Sequence, residues 1–461
     1  MQTFIKVDRN EPQKDDVLSR IKHFNEIYTK FSVEKAASQA ERCVQCGDPY
    51  CSAIGCPLSN YIPHWLKSMA SQDLAQSFKI SNESSPFPEI LGRICPQDKL
   101  CEGACTLNDD GYGAITIGAI ETAITEQAFA AGIEPEFPGI TTDKKVAVIG
   151  SGPAGISAAN FLLRAGIKVT MFERDNVPGG LLVWGIPGFK LQKDVVARRF
   201  EILTKAGMEL KLNCEVGKDV SFESLQKEYD AIFIGVGASK SNVAGMANEN
   251  ATNVVNAIDF LRDIQAKLFG QKTTPVVDVA GKKVVVIGGG DTAMDCVRTS
   301  LREGAASVQC IYRRDESNMP GSKKEFYNAN EEGVEFTFLA TPKAINVADG
   351  KVSSVTFAKM ELGEKDESGR QRVQEVAGSD FDVEADVVIM SLGFSHQAMT
   401  FLDKSGIELN KWGGFEVKEN YETSKALVYA GGDCVRGADL AVTAARDGRT
   451  AAFDIINKLL G

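Results

Sequence analysis

Histidine is scarce in this sequence, since His23, His64 and His396 are the only three among 461 residues. So few imidazoles argue against an enzyme that depends on histidine acid–base chemistry or on a histidine-ligated zinc ion. We assign a catalytic role to none of the three. No run of about 18 apolar residues occurs, which argues against a membrane span. Residues 1–12 contain no apolar segment of the kind found in secretory signals.

The sequence also lacks a surplus of basic residues. Its formal net charge is −11, whereas binding to nucleic acid depends on positive patches that contact phosphates. Apolar residues make up 43% of the chain and charged residues 25%, as in ordinary globular proteins. We therefore expect a cytoplasmic protein that binds neither nucleic acid nor membranes. In that compartment thiols stay reduced, so clustered cysteines indicate metal ligands rather than disulfides.

Seven of the eleven cysteines lie between residues 43 and 105, in two runs. Their spacing suits iron–sulfur clusters, in which closely spaced thiolates hold the iron and a Cys-Pro often ligates a neighbouring cluster. Structural zinc is the alternative, because a pair such as Cys43 and Cys46 would also suit zinc. Seven ligands exceed one tetrahedral site but are one short of two all-cysteine clusters. We therefore predict two 4Fe–4S clusters with one non-cysteine ligand, on the runs Cys43, Cys46, Cys51, Cys56 and Cys95, Cys101, Cys105.

Hydrophobic residues before position 143 recur at helical rather than at strand spacing. Within residues 15–42 they follow each other in steps of three and four, which predicts an amphipathic helical stretch; they are Val17, Ile21, Phe24, Tyr28 and Phe31. Residues 132–143 are rich in glycine, proline and threonine, as in linkers. We predict a helical cluster-binding domain, with its linker, over residues 1–143.

A β-α-β unit begins directly after this linker. A strand at Val146–Ile149 runs into the fingerprint Gly150-x-Gly152-x-x-Gly155, an apolar helix follows, and a second strand ends at Glu173. In such fingerprints the first glycine permits the turn, the second lets the backbone approach a pyrophosphate, and the third allows helix and strand to pack closely. Glu173 stands where a ribose hydroxyl would be bound. The unit therefore predicts a dinucleotide site.

Further glycine-rich stretches assign FAD to this first site. Gly180 and the stretch from Gly185 to Lys190 suit the lining of an isoalloxazine ring, and we include Lys190 among the FAD contacts. Gly432 and Asp433, near the end of the chain, can complete the site on its ribityl or pyrophosphate side. Such a split layout is typical of flavoproteins that bind two dinucleotides. We predict no catalytic side chain, because the cofactors carry the hydride transfer.

The fingerprint returns after a strand at Val284–Ile287, and we assign the nicotinamide cofactor to this second site. Arg313 and Arg314 end its second strand and can bind the 2′-phosphate of NADPH through bidentate contacts. The alternative is that both arginines are solvated and Asp315 binds the free ribose hydroxyl of NADH. We favour NADPH, with predicted contacts at Gly288, Gly290, Asp291, Thr292, Ala293, Arg313 and Arg314.

The predicted fold class is α/β, with a helical iron–sulfur domain followed by two Rossmann-like domains. The nicotinamide-binding domain is expected as an insertion in the FAD-binding domain. The predicted limits are residues 1–143 for the cluster domain, 144–243 and 395–461 for the FAD domain, and 244–394 for the NADPH domain.

Taken together, the two cysteine runs and the glycine motifs resemble the small (β) subunits of bacterial NADPH-dependent glutamate synthase. The same module occurs in dihydropyrimidine dehydrogenases and in the large subunit of ferredoxin-linked transhydrogenases. One departure is visible, since four residues separate Cys51 from Cys56 where most family members have three. The motifs that carry the resemblance are residues 150–155, 185–187, 289–295, 312–314 and 431–433.

The resemblance implies how the ligands are shared between the clusters. One cluster would be held by Cys43, Cys46, Cys51 and Cys105. The other would be held by Cys56, Cys95 and Cys101, with a glutamine or glutamate as the fourth ligand. The segment from Thr116 to Glu121 matches the family at this point, which makes Glu121 the candidate.

The resemblance further implies an electron-input subunit that oxidises NADPH through FAD and passes electrons through the clusters. Its partner would be an FMN-containing large subunit that makes glutamate from glutamine and 2-oxoglutarate. This chain lacks the N-terminal cysteine nucleophile of the glutaminase, because residue 2 is glutamine. Alternatives are the equivalent subunit of a ferredoxin-linked transhydrogenase or pyrimidine reductase, a stand-alone diaphorase, and a cluster-bearing scaffold with a silent nicotinamide site.

Overall fold

The structure, a computed structural model, describes residues 3–272, 274–365, 371–397, 399–402 and 405–461. Its α-helices are α1 (Val17–Arg20), α2 (Val33–Ala40), α3 (Tyr50–Ala53), α4 (Ile62–Ala70), α5 (Leu74–Ser84), α6 (Pro88–Ile94), α7 (Ile117–Ala130), α8 (Pro153–Arg164), α9 (Leu181–Trp184), α10 (Lys193–Lys205), α11 (Phe222–Glu228), α12 (Ala257–Leu268), α13 (Asp291–Arg302), α14 (Lys323–Glu331), α15 (Asp433–Arg436) and α16 (Ala441–Leu460).

The strands follow in the same chain order. They are β1 (Lys145–Ile149), β2 (Lys168–Phe172), β3 (Glu209–Lys211), β4 (Ala231–Ile234), β5 (Lys240–Ser241), β6 (Val254–Asn256), β7 (Lys283–Ile287), β8 (Ser307–Tyr312), β9 (Glu335–Phe338), β10 (Ala340–Ala348), β11 (Lys351–Lys365), β12 (Gln371–Glu375), β13 (Phe381–Glu384), β14 (Val387–Met390), β15 (Phe394–Ser395) and β16 (Val428–Ala430). Among the described residues, no helix is both long enough and apolar enough to cross a membrane.

The N-terminal part is helical, as predicted, with α1 to α7 all preceding the first strand. Its core contains Trp65, Phe78, Ile120 and Ile124, which are almost completely buried. These apolar side chains come from α4, α5 and α7, so the helices pack around one hydrophobic centre. Cys51 lies on the short helix α3, and the other six clustered cysteines lie in turns and loops outside the helices.

The prediction of a continuous amphipathic helical stretch over residues 15–42 is wrong. Only α1 and α2 form there, and residues 21–32 are irregular. The Arg20 side chain is buried and donates to Glu331 and Glu332 at the C-terminal end of α14, and the Phe24 ring lies 6.2 Å from the Phe189 ring. Because helices in proteins depend on packing more than on propensity, these distant contacts decide the backbone path.

The first five-stranded sheet is parallel and has the order β16-β4-β1-β2-β3. All but the first residue of β1 is buried, as expected for a parallel strand covered on both faces. Strand β16 comes from the C-terminal end of the chain and pairs with β4, while α16 packs against α8, where Ser157 Oγ donates to Ala445 O. The C-terminal segment therefore belongs to the sheet of the first fingerprint.

The second five-stranded sheet is also parallel, with the order β6-β14-β7-β8-β9. It lies in the chain between β4 and β16, so the second dinucleotide unit is inserted into the first. The short antiparallel pair β5 and β15 lies where the chain enters and leaves this insertion. The predicted fold class is confirmed, whereas the domain limits near residues 143, 243 and 394 stay predictions.

A further antiparallel sheet of β10 to β13 lies between β9 and β14. The sequence patterns did not single it out. Its core residues Val355 and Phe357 pack with Val388 of β14, so the sheet extends the core of the nicotinamide half.

Candidate functional site

The three glycines of the first fingerprint have three different surroundings. Gly150 has a φ of +95°, and a Cβ there would lie 2.5 Å from the carbonyl oxygen of Gly235. A Cβ on Gly155 would lie 2.0 Å from Gly150 O, whereas a Cβ on Gly152 would meet nothing within 4 Å. Gly150 therefore makes the turn and Gly155 the close packing, and Gly152 leaves open space at the start of α8. That open space fits the approach of a pyrophosphate to a helix N-terminus.

Glu173 is buried at the end of β2 and binds the fingerprint itself. Its Oε2 accepts a 3.0 Å hydrogen bond from the Ser151 backbone N–H and a second one from the Ser151 hydroxyl. The Ser151 hydroxyl in turn accepts from Gly179 N at 2.9 Å. Ser151 was not predicted as a site residue, because it occupies a variable position between the two fingerprint glycines. Ser151 connects the turn at Gly150 with Glu173 and with Gly179 of the second glycine stretch.

The distant glycine turn does reach the first fingerprint. Gly432 has a φ of +77°, and a Cβ there would lie 3.1 Å from the Ala154 Cβ. Asp433 begins α15, and burial raises its pKa to about 7. A Cβ on Gly180 would lie 3.1 Å from Gly152 Cα. The structure thus brings together Gly150, Gly152, Gly180 and the Gly432–Asp433 turn at one place.

The second fingerprint repeats this geometry in the second sheet. A Cβ on Gly288 would lie 2.2 Å from Ser391 O, and a Cβ on Gly290 would meet nothing within 4 Å. Ala293 is fully buried in the position of the third glycine. Asp291 Oδ1 accepts a 3.0 Å hydrogen bond from Ser322 N, so its carboxylate fixes the loop before α14.

The two candidate arginines stand at the end of β8. Arg313 is exposed, and Arg314 Nε donates to Gln371 O at 3.0 Å. The Asp315 carboxylate accepts from Asn318 Nδ2 at 2.6 Å and from the Ser317 hydroxyl at 2.6 Å, and these bonds lower its pKa despite partial burial. Asp315 is thus engaged in its own turn, which favours the arginines as the groups that meet the ribose end of the cofactor.

One cavity of about 520 Å³ joins the two dinucleotide halves. Its walls include Gly150, Gly152, Glu173, Gly180, Lys190, Asp291, Thr292, Gly432 and Asp433 of the predicted contacts. Gly155, Gly288, Gly290, Ala293, Arg313 and Arg314 lie outside these walls. The first site therefore opens into the cavity at all of its predicted contacts except Gly155, while the second reaches it only at the start of α13.

An ion pair that the sequence did not reveal lies in the wall of this cavity. Lys190 Nζ is 2.9 Å from Asp295 Oδ1, and both side chains are nearly inaccessible. Burial opposes the charge of Lys190, but the Asp295, Glu325 and Asp291 carboxylates outweigh it and hold its pKa above the usual range. Burial raises the pKa of Asp295 to about 6. Asp295 lies one helical turn after Asp291, and this spacing could have indicated from the sequence that both face the same side of the helix. The ion pair itself could not be predicted, because Lys190 lies in the other half.

The seven clustered cysteines surround two separate small cavities. Cys43, Cys46, Cys51 and Cys105 line the first, and Cys56, Cys95 and Cys101 line the second together with Glu121. The structure thus brings Cys105 to the first run, as the resemblance implied. Within the described residues, no group of three or more His, Cys, Asp or Glu side chains is arranged so that it could hold a single metal ion. The cysteines instead surround cavities, as the larger volume of a cluster requires.

Burial raises the pKa of five of these thiols in the absence of a cation, those of Cys43, Cys51, Cys56, Cys95 and Cys101. It raises the pKa of Cys43 to about 11 and that of Cys51 to about 12, with a further contribution from the neighbouring cysteines. Burial also raises the pKa of Glu121 to about 8, although Glu121 Oε1 accepts a 2.8 Å hydrogen bond from Asn60 Nδ2. Such a donor set needs positive charge in its centre, which the iron of a cluster supplies.

The second cysteine cavity adjoins the dinucleotide cavity. Cys95 and Val442 line both of them, so a thiol that faces the second cluster position is also part of the wall of the large cavity. The remaining cysteines do not gather: Cys296, Cys310 and Cys434 are buried singly, and Cys214 is half-buried.

Two known families match this chain in sequence. Residues 20–133 match the family described as dihydropyrimidine dehydrogenase domain II, 4Fe-4S cluster. Residues 144–448 match the family described as pyridine nucleotide-disulphide oxidoreductase. The first range covers all seven clustered cysteines and the second covers both fingerprints.

Individual relatives and a solved structure agree with these matches. FprA of Mycobacterium tuberculosis in complex with NADPH shares the fold, with a TM-score of 0.58 at 21% identity over 69% of this chain and 85% of that one. The putative oxidoreductase AegA of Escherichia coli (strain K12) is 47% identical over 98% of this chain and 70% of its own length. The glutamate synthase (NADPH) small chain of the same organism is 49% identical over 99% of this chain and 98% of its own length. This chain belongs to the family of glutamate synthase (NADPH) small chains.

Proposed function

We propose that this chain is the electron-input subunit of a glutamate synthase, which oxidises NADPH and delivers the electrons to a larger partner. The observation that carries the proposal is the single cavity that joins both fingerprints and has the thiol-bearing residue Cys95 in its wall. The names and the full-length similarity of the relatives support it.

The residues in the cavity wall fit FAD in the first half, and residues in the wall and beyond it fit NADPH in the second half. Gly152 and Gly290 leave open space where a pyrophosphate would approach, and Glu173 stands at the ribose position of the first site. Arg313 and Arg314 would hold the 2′-phosphate of NADPH. When bound, NADPH supplies a hydride and FAD accepts it and releases electrons one at a time.

The cysteine cavities fit two 4Fe–4S clusters in a fixed spatial order. The set of Cys56, Cys95, Cys101 and Glu121 borders the dinucleotide cavity, because Cys95 is common to both walls. The set that includes Cys43 and Cys51 lies beside the exposed side chains of Val44 and Tyr50. The cluster in the second cysteine cavity, next to Cys95, would therefore receive electrons from the flavin side. The cluster in the first cysteine cavity, next to Cys43 and Cys51, would pass them on to the partner.

We infer that the partner is a large subunit that carries FMN and forms glutamate from glutamine and 2-oxoglutarate in the cytoplasm. A surface for this partner lies next to the first cysteine cavity. It is formed by the exposed apolar side chains of Val44, Tyr50 and Ile54. A transhydrogenase or pyrimidine-reductase partner is the alternative. The similarity to AegA, in which the matching region is only part of a longer protein, shows that related modules occur in other settings.

An anaerobic titration with NADPH tests the proposed input reaction. We expect the purified chain to contain flavin and iron, the flavin absorbance to bleach on addition of NADPH, and the paramagnetic resonance signals of reduced 4Fe–4S clusters to follow. NADH should act more weakly. A bound flavin that neither nucleotide bleaches would contradict the proposal and support a cluster-bearing scaffold with a silent nicotinamide site.

A further inference from the structure

A buried hydrogen-bond network ends at the carboxylate of Glu121, in the wall of the second cysteine cavity. Asn60 Nδ2 donates to Glu121 Oε1 at 2.8 Å. The amide oxygen of Asn60 accepts from Trp65 Nε1 at 3.3 Å and from the Ser84 hydroxyl at 3.1 Å. All four residues are buried, and Asn60 and Glu121 both line the cavity. The network therefore reaches the candidate fourth ligand of the second cluster.

This network determines which way the amide of Asn60 is oriented. An indole N–H donates and cannot accept, so the oxygen of Asn60 faces Trp65 and its NH2 group faces Glu121. Glu121 Oε1 is thus bound by a donor, whereas Glu121 Oε2 has no hydrogen-bond partner among the described residues. One of the two carboxylate oxygens is fixed and the other is left for a further contact.

The backbone around Asn60 is held from two sides. Ser59, directly before Asn60, has a φ of +47°, in the left-handed region that serine seldom adopts. Arg449, on α16, donates through Nη1 to Leu58 O and to Ser84 O, in both cases at 2.8 Å. The turn that carries Asn60 is thereby tied to the end of α5, which carries Ser84. The amide consequently acts on Glu121 from a fixed position.

The fold alone does not account for a carboxylate at this point. Trp65 and Ser84 need an acceptor, which Asn60 supplies, but a buried ionised carboxylate without a cation is costly. Within the part of the chain that the structure describes, no lysine or arginine pairs with Glu121. The Ser85 hydroxyl lines the same cavity, is fully buried and has no hydrogen-bond partner among these residues. Both groups fit a polar, positively charged group in the cavity.

We propose that Asn60 is a positioning residue for the second cluster, which fixes Glu121 so that this side chain binds iron through Oε2 alone. The inference rests on the proposed function, which assigns a 4Fe–4S cluster to this cavity. It goes beyond that assignment, because it names a residue that is not a ligand and selects one oxygen of the ligand. Loss of a group that orients a metal ligand lowers metal affinity roughly 10- to 100-fold.

The test compares Asn60→Asp with the wild-type holoprotein. The introduced carboxylate still accepts from Trp65 and Ser84, so we expect a folded variant that keeps its flavin. It no longer offers an amide N–H to Glu121 and repels that carboxylate. Asn60→Leu, which has no proton to share with Glu121, is the second variant.

The readout is the release of one iron ion from the cluster, which requires no turnover with NADPH. Ferricyanide takes one electron from a 4Fe–4S cluster in its 2+ state, and release of one Fe²⁺ then leaves a 3Fe–4S cluster in its 1+ state. The 3Fe–4S cluster has a paramagnetic resonance signal that the starting cluster lacks. In both Asn60 variants the rate constant for the appearance of this signal should rise at least about tenfold.

A donor–acceptor exchange tests the hydrogen bond itself. In Asn60→Asp/Glu121→Gln the introduced amide donates to the introduced carboxylate and keeps its oxygen for iron, while the total charge stays that of the wild type. This double variant should release iron more slowly than Asn60→Asp. The matched control is Asn82→Asp, because Asn82 is a buried amide of the same domain outside both cysteine cavities. It should release iron at the wild-type rate.

Three results would overturn the inference. They are a wild-type rate in both Asn60 variants, an equal rise in Asn82→Asp, and a double variant that releases iron as fast as Asn60→Asp. A wild-type protein that holds no 4Fe–4S cluster on Cys56, Cys95 and Cys101 would instead overturn the proposed function.

Discussion

At Gly152 and Gly290 the space that a side chain would occupy is empty, whereas at Gly155 it is filled by a backbone carbonyl oxygen. Both open glycines have ordinary φ angles, −70° and −88°, that alanine also adopts. Their glycine identity is thus unexplained by the fold and explained by a ligand that approaches the backbone.

Alanine substitution at these two positions separates the two cofactors. We expect Gly152→Ala to yield folded protein with little flavin, because the added methyl group occupies the approach of the pyrophosphate. Gly290→Ala should keep its flavin but lose bleaching by NADPH at low concentrations. Flavin content and NADPH titration measure both effects. Loss of flavin from the Gly290 variant and not from the Gly152 variant would reverse the assignment of the two sites.

Among the described residues that line the second cysteine cavity, Glu121 carries the one carboxylate. We predict that Glu121→Ala lowers the iron content of the purified protein by up to about half, because one of the two clusters loses its fourth ligand. Iron analysis and the cluster absorbance check this result.

The matched control is Glu126→Ala, which removes another carboxylate of the same helix, α7, outside both cysteine cavities. It should keep the full iron content. Equal iron in the Glu121 variant and in the wild type would contradict the ligand assignment.

Among the elements, the segment from α1 to α2 shows how contacts override local pattern. Arg20 is buried against Glu332, which also pairs with Arg298 and Arg302. Burial would raise the pKa of Glu332, but the hydrogen bonds and charges of Arg298 and Arg302 outweigh it and lower that pKa to about 2. The Glu332 carboxylate therefore connects the N-terminal segment to α13 of the nicotinamide half.

This carboxylate gives a stability prediction with a defined pH dependence. A lowered pKa means that the ionised carboxylate stabilises the fold above its unfolded pKa of about 4.3, and that this contribution is lost as pH falls towards 2. Glu332→Gln should therefore lower the unfolding temperature by about 5 °C or more from pH 5 to pH 8. The difference from wild type should shrink at more acidic pH.

The neighbouring Glu331→Gln serves as the control in thermal melts. Glu331 pairs with Lys14 and Arg20 but is 42% exposed, so its loss should change the unfolding temperature much less. If both variants lost the same number of degrees in unfolding temperature, the buried ion pairs of Glu332 would not stabilise the fold more than the exposed ones of Glu331.

The elements with repeating local signals could be predicted from the sequence. Both fingerprint units, the helical character of the N-terminal part and the return of the C-terminal strand follow from glycine spacing and hydrophobic period. Besides the antiparallel sheet of β10 to β13, two features could not be predicted in this way. The irregular path of residues 21–32 depends on contacts of Arg20 with Glu332 and of Phe24 with Phe189, partners that are distant in the sequence.

The second such feature is pairing across the cavity. Spacing alone could not assign Cys105 to the first cysteine run, and only the resemblance did so. Lys190 and Asp295 lie in different halves, and no local pattern couples them. Contacts of this kind form only when the two halves have folded and packed together. They therefore leave no signal in any short stretch of the sequence.

On the scale of the whole molecule, the candidate sites form a series. The dinucleotide cavity shares Cys95 with the second cysteine cavity, and the first cysteine cavity lies beside exposed apolar side chains. We propose that electrons follow this series, from a two-electron donor inside the protein to a partner at its surface. We infer that this partner uses the electrons to make glutamate.

Anaerobic affinity purification of the tagged chain from lysed native cells tests this inference. We predict that a chain several times larger co-purifies, identified by its mass, and that the complex converts glutamine and 2-oxoglutarate into glutamate while it oxidises NADPH. A small flavoprotein as the partner, or a chain that purifies alone and reduces small acceptors in steady turnover, would contradict the glutamate synthase assignment.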